Sequence, residues 1–105
     1  MKPRKTKYLK KVLSKKSFAI YPAKNHHEFY FLVVDGIKQH IYTYFSHGKK
    51  EYDKKLMGEV KKQLKFPTSQ QAESYFDCPM SGSAYVELMR KIGELPDDDD
   101  NGDSN

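Results

Sequence analysis

The sequence predicts an α+β fold, a three-stranded antiparallel sheet covered on one face by helices, with further helices at the C-terminal end. Three observations predict it. Two runs rich in aromatic and β-branched residues, Phe29 to Val34 and Ile37 to Phe45, flank an Asp35-Gly36 pair. Asp-Gly between such runs is the strongest short-range signal for a hairpin, because a type I′ turn needs positive φ. Apolar residues recur at helical spacing on both sides of that hairpin. The length of 105 residues suits one domain. A chain of this size buries only roughly 60–65% of its unfolded surface, so one helix–sheet core fits and a deep cavity does not.

Met1 to Lys5 reads as a frayed basic arm. Thr6 reads as the N-cap of a first helix ending at Lys15 or Lys16, with Leu9, Val12 and Leu13 as its buried stripe. Ser17 to Tyr21 reads as a short strand ended by Pro22, and Ala23 to Asn25 turn the chain. The two-residue turn sets Val34 opposite Ile37. Carried along both strands, that register puts Phe31 opposite His40, Phe29 opposite Tyr42 and His27 opposite Tyr44. Alternation then sorts the faces. Tyr30, Leu32, Val34, Ile37, Ile41 and Phe45 should meet the helices, while His27, Phe29, Phe31, Lys38, His40, Tyr42 and Tyr44 share the other face.

Ser46-His47-Gly48 reads as a turn into a lysine-rich helix from Glu51 to Lys65, with Leu56, Val60 and Leu64 one turn apart. Pro67 stops it. Thr68 and Gln71 resemble a capping box for a short helix through Phe76. Pro79 breaks the chain, and Tyr85, Leu88, Met89 and Ile92 mark a last amphipathic helix. Residues 1–93 are therefore expected to form a single domain with a helical extension from Thr68. Residues 94–105, with four consecutive aspartates, are expected to be a disordered acidic tail.

The formal net charge is +5, but residues 1–93 carry 19 bases against 8 acids, a net of +11. A basic body with an acidic tail is the pattern of a polyanion binder. The lysines fall into an N-terminal set and a set around the central helix. Arginine is scarce in the body, which favours backbone or shape recognition of RNA over bidentate base reading. Cys78 is the single cysteine, so no internal disulfide can form, and a cytoplasmic location is expected. No apolar stretch approaches the length of a membrane span.

The histidines carry the candidate chemistry. Strand neighbours point to opposite faces, so His26 and His27 cannot share one task. Histidine titrates near neutrality and can move a proton in phosphodiester cleavage, for which RNA supplies its own 2′-hydroxyl nucleophile. A metal site is not expected: there is no Cys-x-x-Cys and no His-x-x-x-His on a helix. Cys78 reads as a structural thiol, and no cofactor motif is visible.

The order helix, three strands, helix, with Lys24-Asn25-His26-His27 opening the hairpin, resembles the HicA family of bacterial toxins over roughly residues 6 to 66. Thr43 to Gly48 looks like that family's strand-to-helix turn, and Lys61-Lys62-Gln63-Leu64 like the end of its second helix. The family's usual Gly-Ser before the histidine is replaced here by Lys24-Asn25, and the segment from Thr68 is additional to the minimal toxin. The resemblance implies a double-stranded-RNA-binding-like fold and a metal-independent endoribonuclease acting on mRNA. It implies a catalytic histidine, for which the register favours His27, with His26 next and His47 as a second acid or phosphate contact. Lys24, Lys38, Lys49, Lys50, Lys54 and Lys61 would hold phosphates, and Tyr44 would stack a base. A HicB-like antitoxin would be the protein partner. Two alternatives stay open: a non-catalytic RNA-binding module, and a protein-interaction domain using the aromatic face.

Overall fold

The computed structural model describes residues 1–22, 27–46, 48–77 and 79–96. Lys24, His26, His47, Cys78 and residues 97–105 of the acidic tail lie outside the described residues. In chain order the elements are β1 (Arg4–Lys5), α1 (Thr6–Lys15), β2 (Phe18–Pro22), β3 (His27–Val34) and β4 (Ile37–Ser46), then β5 (Glu51–Tyr52), α2 (Lys54–Gln63), α3 (Ser69–Phe76) and α4 (Gly82–Lys91). β2, β3 and β4 form an antiparallel sheet in that order, and β1 pairs with β5 in a separate two-stranded ladder. The fold is α+β, as expected, with one small ladder that sequence patterning missed.

The hairpin turn is as the Asp-Gly pair predicts: Asp35 has φ 53° and Gly36 φ 79°, and Val34 faces Ile37. The register beyond it is not. Val33 pairs with Lys38, but Phe31 pairs with Tyr42, so a bulge places Gln39, His40 and Ile41 against Leu32 alone. Phe29 therefore faces Tyr44, and His27 faces Ser46 rather than Tyr44. The shift is two residues on β4, so it moves partners without exchanging faces. It sets two aromatic pairs directly opposite each other, Phe31 with Tyr42 and Phe29 with Tyr44, where the straight register would oppose Phe31 to His40. Such cross-strand aromatic pairs each contribute roughly 0.2–1 kcal/mol.

Tertiary contacts moved several element starts. Arg4 and Lys5 are not a frayed arm: they pair with Tyr52 and Glu51. The ladder runs on into α1, where the Thr6 amide donates to the Lys50 carbonyl at 3.0 Å. Thr6 is therefore the first residue of the helix, and Lys5 takes the N-cap position without a side-chain bond. Glu51 and Tyr52 are strand rather than helix, and Asp53 caps α2 by accepting from the Leu56 amide at 2.9 Å. Thr68 caps α3 as predicted, accepting from the Gln71 amide at 3.1 Å. Its hydroxyl also donates to the Gln71 side chain, which a true capping box would send back to the Thr68 amide. Ser81 caps α4.

The helices cover one face of the sheet. Leu32, Ile41 and Phe45 from the strands, Leu9 and Leu13 from α1, and Met57 and Leu64 around α2 have no exposed surface. Tyr75, Tyr85 and Met89 from α3 and α4 are equally buried in the same cluster. Burying such side chains contributes roughly 1.5–3 kcal/mol each. Leu56 and Leu88 are only partly buried, and Ile37 and Ile92 are exposed. The C-terminal helices thus complete the core instead of hanging from it.

The C-terminal end of α3 shows how they are held. Its last turn has no basic residue of its own to meet the helix dipole. The N-terminal region supplies the donors. The Lys16 ammonium donates to the Tyr75 carbonyl and, at 2.7 Å, to the Met80 carbonyl. The Tyr8 hydroxyl donates to the Phe76 carbonyl. Buried Arg4 grips Asp77 at 2.9 and 3.4 Å and lies over the Phe76 ring. Arg4 and Lys16, two cations of the basic N-terminal region, are thus tied into the fold.

Candidate functional site

The face of the sheet turned away from the helices carries a ladder of rings. β3 and β4 project Phe29, Phe31, Tyr42 and Tyr44 to this side because residues two apart share a face. Phe31 and Tyr42 stack with centroids 4.9 Å apart, Phe29 lies 5.7 Å from Tyr42, and Phe29 lies 5.4 Å from Tyr44. His27, the first residue of β3, closes one end, its ring 5.3 Å from Tyr44 and nearly edge-on at 71°. At the other end Tyr21 meets Phe31 at 5.3 Å. The Lys38 ammonium sits 4.1 Å from the Phe31 centroid and 4.7 Å from that of Tyr21. These are cation–π distances. Tyr42 is 40% exposed and Tyr44 38%. These two rings offer stacking surface to a flat ligand.

Sequence patterning placed His27, Phe29, Phe31, Lys38, Tyr42 and Tyr44 on this face, and the structure brings them together. It missed Tyr21, which the pairing of β2 with β3 sets directly opposite Phe29. His40 was expected on the same face. It takes no part in the ring ladder; it lies within the bulged stretch of β4, and its Nε2 is 3.3 Å from Glu94.

At the His27 end a cleft of about 270 Å³ opens between the sheet and α2, lined by His27, Tyr44, Ser46, Glu59 and Gln63 among others. Gln63 is fixed by the Thr43 hydroxyl at 2.5 Å. Tyr52 also lines the cleft and donates to the Tyr44 carbonyl at 3.3 Å. Burial pushes the Tyr52 hydroxyl above the usual tyrosine range, so it stays a neutral donor. The cleft thus combines an imidazole, a hydroxyl, a carboxylate and a carboxamide beside an aromatic wall.

The lysines divide differently from the sequence expectation. Lys49 and Lys50 line a groove with Lys5, Lys7 and Lys10 at the N-terminal end of α1. Lys10 is tied to Glu28 at 2.6 Å, next to His27 in the chain. Lys54 and Lys61 lie on α2, which packs against the buried side of β4, so they are grouped with the helix and not with the ring ladder. Among the described residues no group of three or more His, Cys, Asp or Glu side chains is arranged to hold a metal, and no helix is long and apolar enough to cross a membrane.

Comparison with known proteins adds no relative: no family model, curated protein or solved structure matches the chain. The functional reading therefore rests on the residues themselves, a ladder of rings bounded by an imidazole at one end and an ammonium at the other.

Proposed function

We propose that this chain binds single-stranded RNA across the ring ladder and cleaves it without a metal, as a HicA-like mRNA interferase with a double-stranded-RNA-binding-like core. The observation that carries the reading is the continuous ladder from His27 through Tyr44, Phe29, Tyr42 and Phe31 to Lys38. Unpaired bases stack on such rings regardless of sequence, contributing roughly 1–3 kcal/mol per base, while cations hold the phosphates between them. His27 borders both the ladder and the cleft beside α2. There it takes the proton of a ribose 2′-hydroxyl or returns one to the leaving oxygen. His26 is the alternative bearer of that role through the family resemblance. An antitoxin of the HicB kind would silence the protein by covering the ring face.

The test is incubation of the purified full chain with mixed-sequence single-stranded RNA in EDTA, beside His26→Ala and His27→Ala. Cleavage by the parent, lost in one variant that still binds RNA, is the expected result. Equal cleavage by parent and both variants removes these histidines from the chemistry.

A second reading, an RNA-binding module that does not cut, is favoured by one observation. Stacking on the exposed Tyr42 and Tyr44 rings needs no proton carrier, and the other described histidine, His40, is engaged with Glu94. Intact RNA in every lane, with binding that weakens steeply as salt rises, selects this reading.

A further inference from the structure

The groove at the N-terminal end of α1 has features that the ring ladder does not explain. It is an open site of about 720 Å³, lined by residues of β1 and α1 on one side and of the segment between β4 and α2 on the other. Lys5, Lys7, Lys49 and Lys50 converge on it from these two segments. They are brought together by the β1–β5 ladder and by the Thr6 amide bonded to the Lys50 carbonyl. Gly48, at φ 86°, turns the chain into this segment.

α1 has ten residues and its N-terminal end faces the groove. The N-cap residue is Lys5, whose side chain has no acceptor for first-turn amides, and the first turn contains no acid. The positive end of the helix dipole therefore adds to four ammonium groups with no carboxylate from its own turn to offset it. Glu51, the acid among the lining residues, lies directly opposite Lys5 in the ladder.

Thr6 supplies an independent observation. The residue is 4% exposed, and its Oγ1 has no hydrogen-bond partner among the described residues. Buried hydroxyls are almost always bonded, and Thr6 lines the groove together with Lys5, Lys7, Lys49 and Lys50. A hydroxyl donor, a helix N-terminus and four lysines are together the recognition chemistry of an oxyanion that carries several acceptors and more than one negative charge.

We infer that this groove is a phosphate-binding site, in which the Thr6 hydroxyl and the first turn of α1 hold the phosphate oxygens and Lys49 and Lys50 close over them. The site deepens the RNA reading, and rests on it only for the source of the phosphate. It sits at the same end of the sheet as His27, since Ser46 is the cross-strand partner of His27 and Lys49 follows three residues later. Three residues of chain span at most about 11 Å and the cross-strand step adds about 5 Å, so Lys49 lies within about 16 Å of His27, a span of a few nucleotides. A strand anchored here by one phosphate would present the next nucleotides to His27 and then to the rings.

The experiment is an amide chemical-shift titration of the full chain with inorganic phosphate at low ionic strength, against equal concentrations of chloride. The expected result is saturable shifts centred on Thr6, Lys7, Lys49 and Lys50. Thr6→Val and the double variant Lys49→Gln/Lys50→Gln should each lower the affinity about tenfold, with the remaining spectrum unchanged. Small shifts spread evenly over all exposed lysines, or saturation unaffected by either variant, would overturn the inference.

Two oligonucleotides of one sequence, with 5′-phosphate or 5′-hydroxyl ends, then identify the source. Tighter binding of the phosphorylated strand, lost in the double variant, assigns a strand terminus. Equal binding of both strands, weakened in the double variant, assigns an internal backbone phosphate. A response to inorganic phosphate alone assigns a free phosphate group. RNA bound normally with no saturable phosphate effect would refute the groove and leave the ring ladder standing.

Discussion

Lys16 and Tyr75 hold each other at both ends. The Lys16 ammonium donates to the Tyr75 carbonyl, and the Tyr75 hydroxyl donates to the Lys16 carbonyl at 3.1 Å, with the ammonium 4.9 Å from the Tyr75 ring centroid. The pair joins the end of α1 to the end of α3, 59 residues apart in sequence. It satisfies orphan carbonyls at a helix end that has no cation of its own.

Lys16→Met should therefore lower stability by about 2–3 kcal/mol, since two carbonyls lose a charged donor. Lys15→Met, one residue earlier and exposed, should stay within about 0.5 kcal/mol of the parent. Denaturant midpoints measure both. RNA affinity should fall little more for Lys16→Met than for Lys15→Met. A loss of binding specific to Lys16 would place it in the phosphate-contacting set.

Gly82 opens α4 against the same turn. A Cβ added there would stand 2.8 Å from the Ser17 Oγ and 3.0 Å from the Lys16 Cα and carbonyl carbon. Gly82→Ala should destabilise by about 1–3 kcal/mol, although alanine is the better helix former by about 1 kcal/mol. Ser17 has φ 80°, which favours glycine. Ser17→Gly added to Gly82→Ala should recover part of the loss, because it removes the hydroxyl but leaves the Lys16 backbone in place. Thermal melts of the two single variants and the double variant form the cycle that checks it.

Tyr75 and Tyr85 make the fold sensitive to alkali. Burial drives both hydroxyls well above the tyrosine range, with Tyr85 on Tyr75 and Glu94 on Tyr85 adding to the effect. The Tyr85 hydroxyl also donates to the Leu64 carbonyl at 2.7 Å, which needs the neutral form. Unfolded tyrosine titrates near pH ~10. The folded chain keeps these protons to higher pH, so the stabilisation is fully present below pH ~10. It falls as pH rises further, at about 1.4 kcal/mol per pH unit for each group. Tyrosinate absorbance and circular dichroism should then change together for these two residues. Tyr85→Phe should flatten the alkaline slope, and an unchanged slope would count against it.

The ring ladder makes a prediction that separates binding from folding. Tyr42→Ala should weaken RNA binding by about 1–3 kcal/mol, read by fluorescence anisotropy. Phe45, the next-but-two residue on the buried face, has no exposed surface. Phe45→Ala should cost about 3–5 kcal/mol of stability. A Tyr42→Ala protein that melts early but binds RNA unchanged would mark the ladder as packing alone.

Much of the fold was legible. The Asp35-Gly36 turn, the two faces of the hairpin and the existence of the helices follow from local chemistry: positive φ at two positions, alternation along strands, and apolar spacing along helices. The ring face was legible for the same reason, apart from Tyr21, which needed the pairing of β2 with β3 to be placed. The roles of the lysines were not legible. Lys16 and Lys15 are neighbours of one type, yet one ends on helix carbonyls and the other in solvent. Composition cannot separate them, because the difference lies in where α3 ends in space.

By itself the sequence determined the turn, the face on which most strand residues point, and most of the helices, because these depend on neighbours within a few positions. Tertiary structure alone decided the register beyond the turn, the pairing of Arg4 and Lys5 with Tyr52 and Glu51, and the convergence of Lys5, Lys7, Lys49 and Lys50 around Thr6. Each of these joins segments distant along the chain or selects among registers that leave the faces unchanged. A two-residue shift preserves every apolar face, so hydrophobic patterning is blind to it. Opposing aromatic pairs and the packing of the whole sheet make the choice.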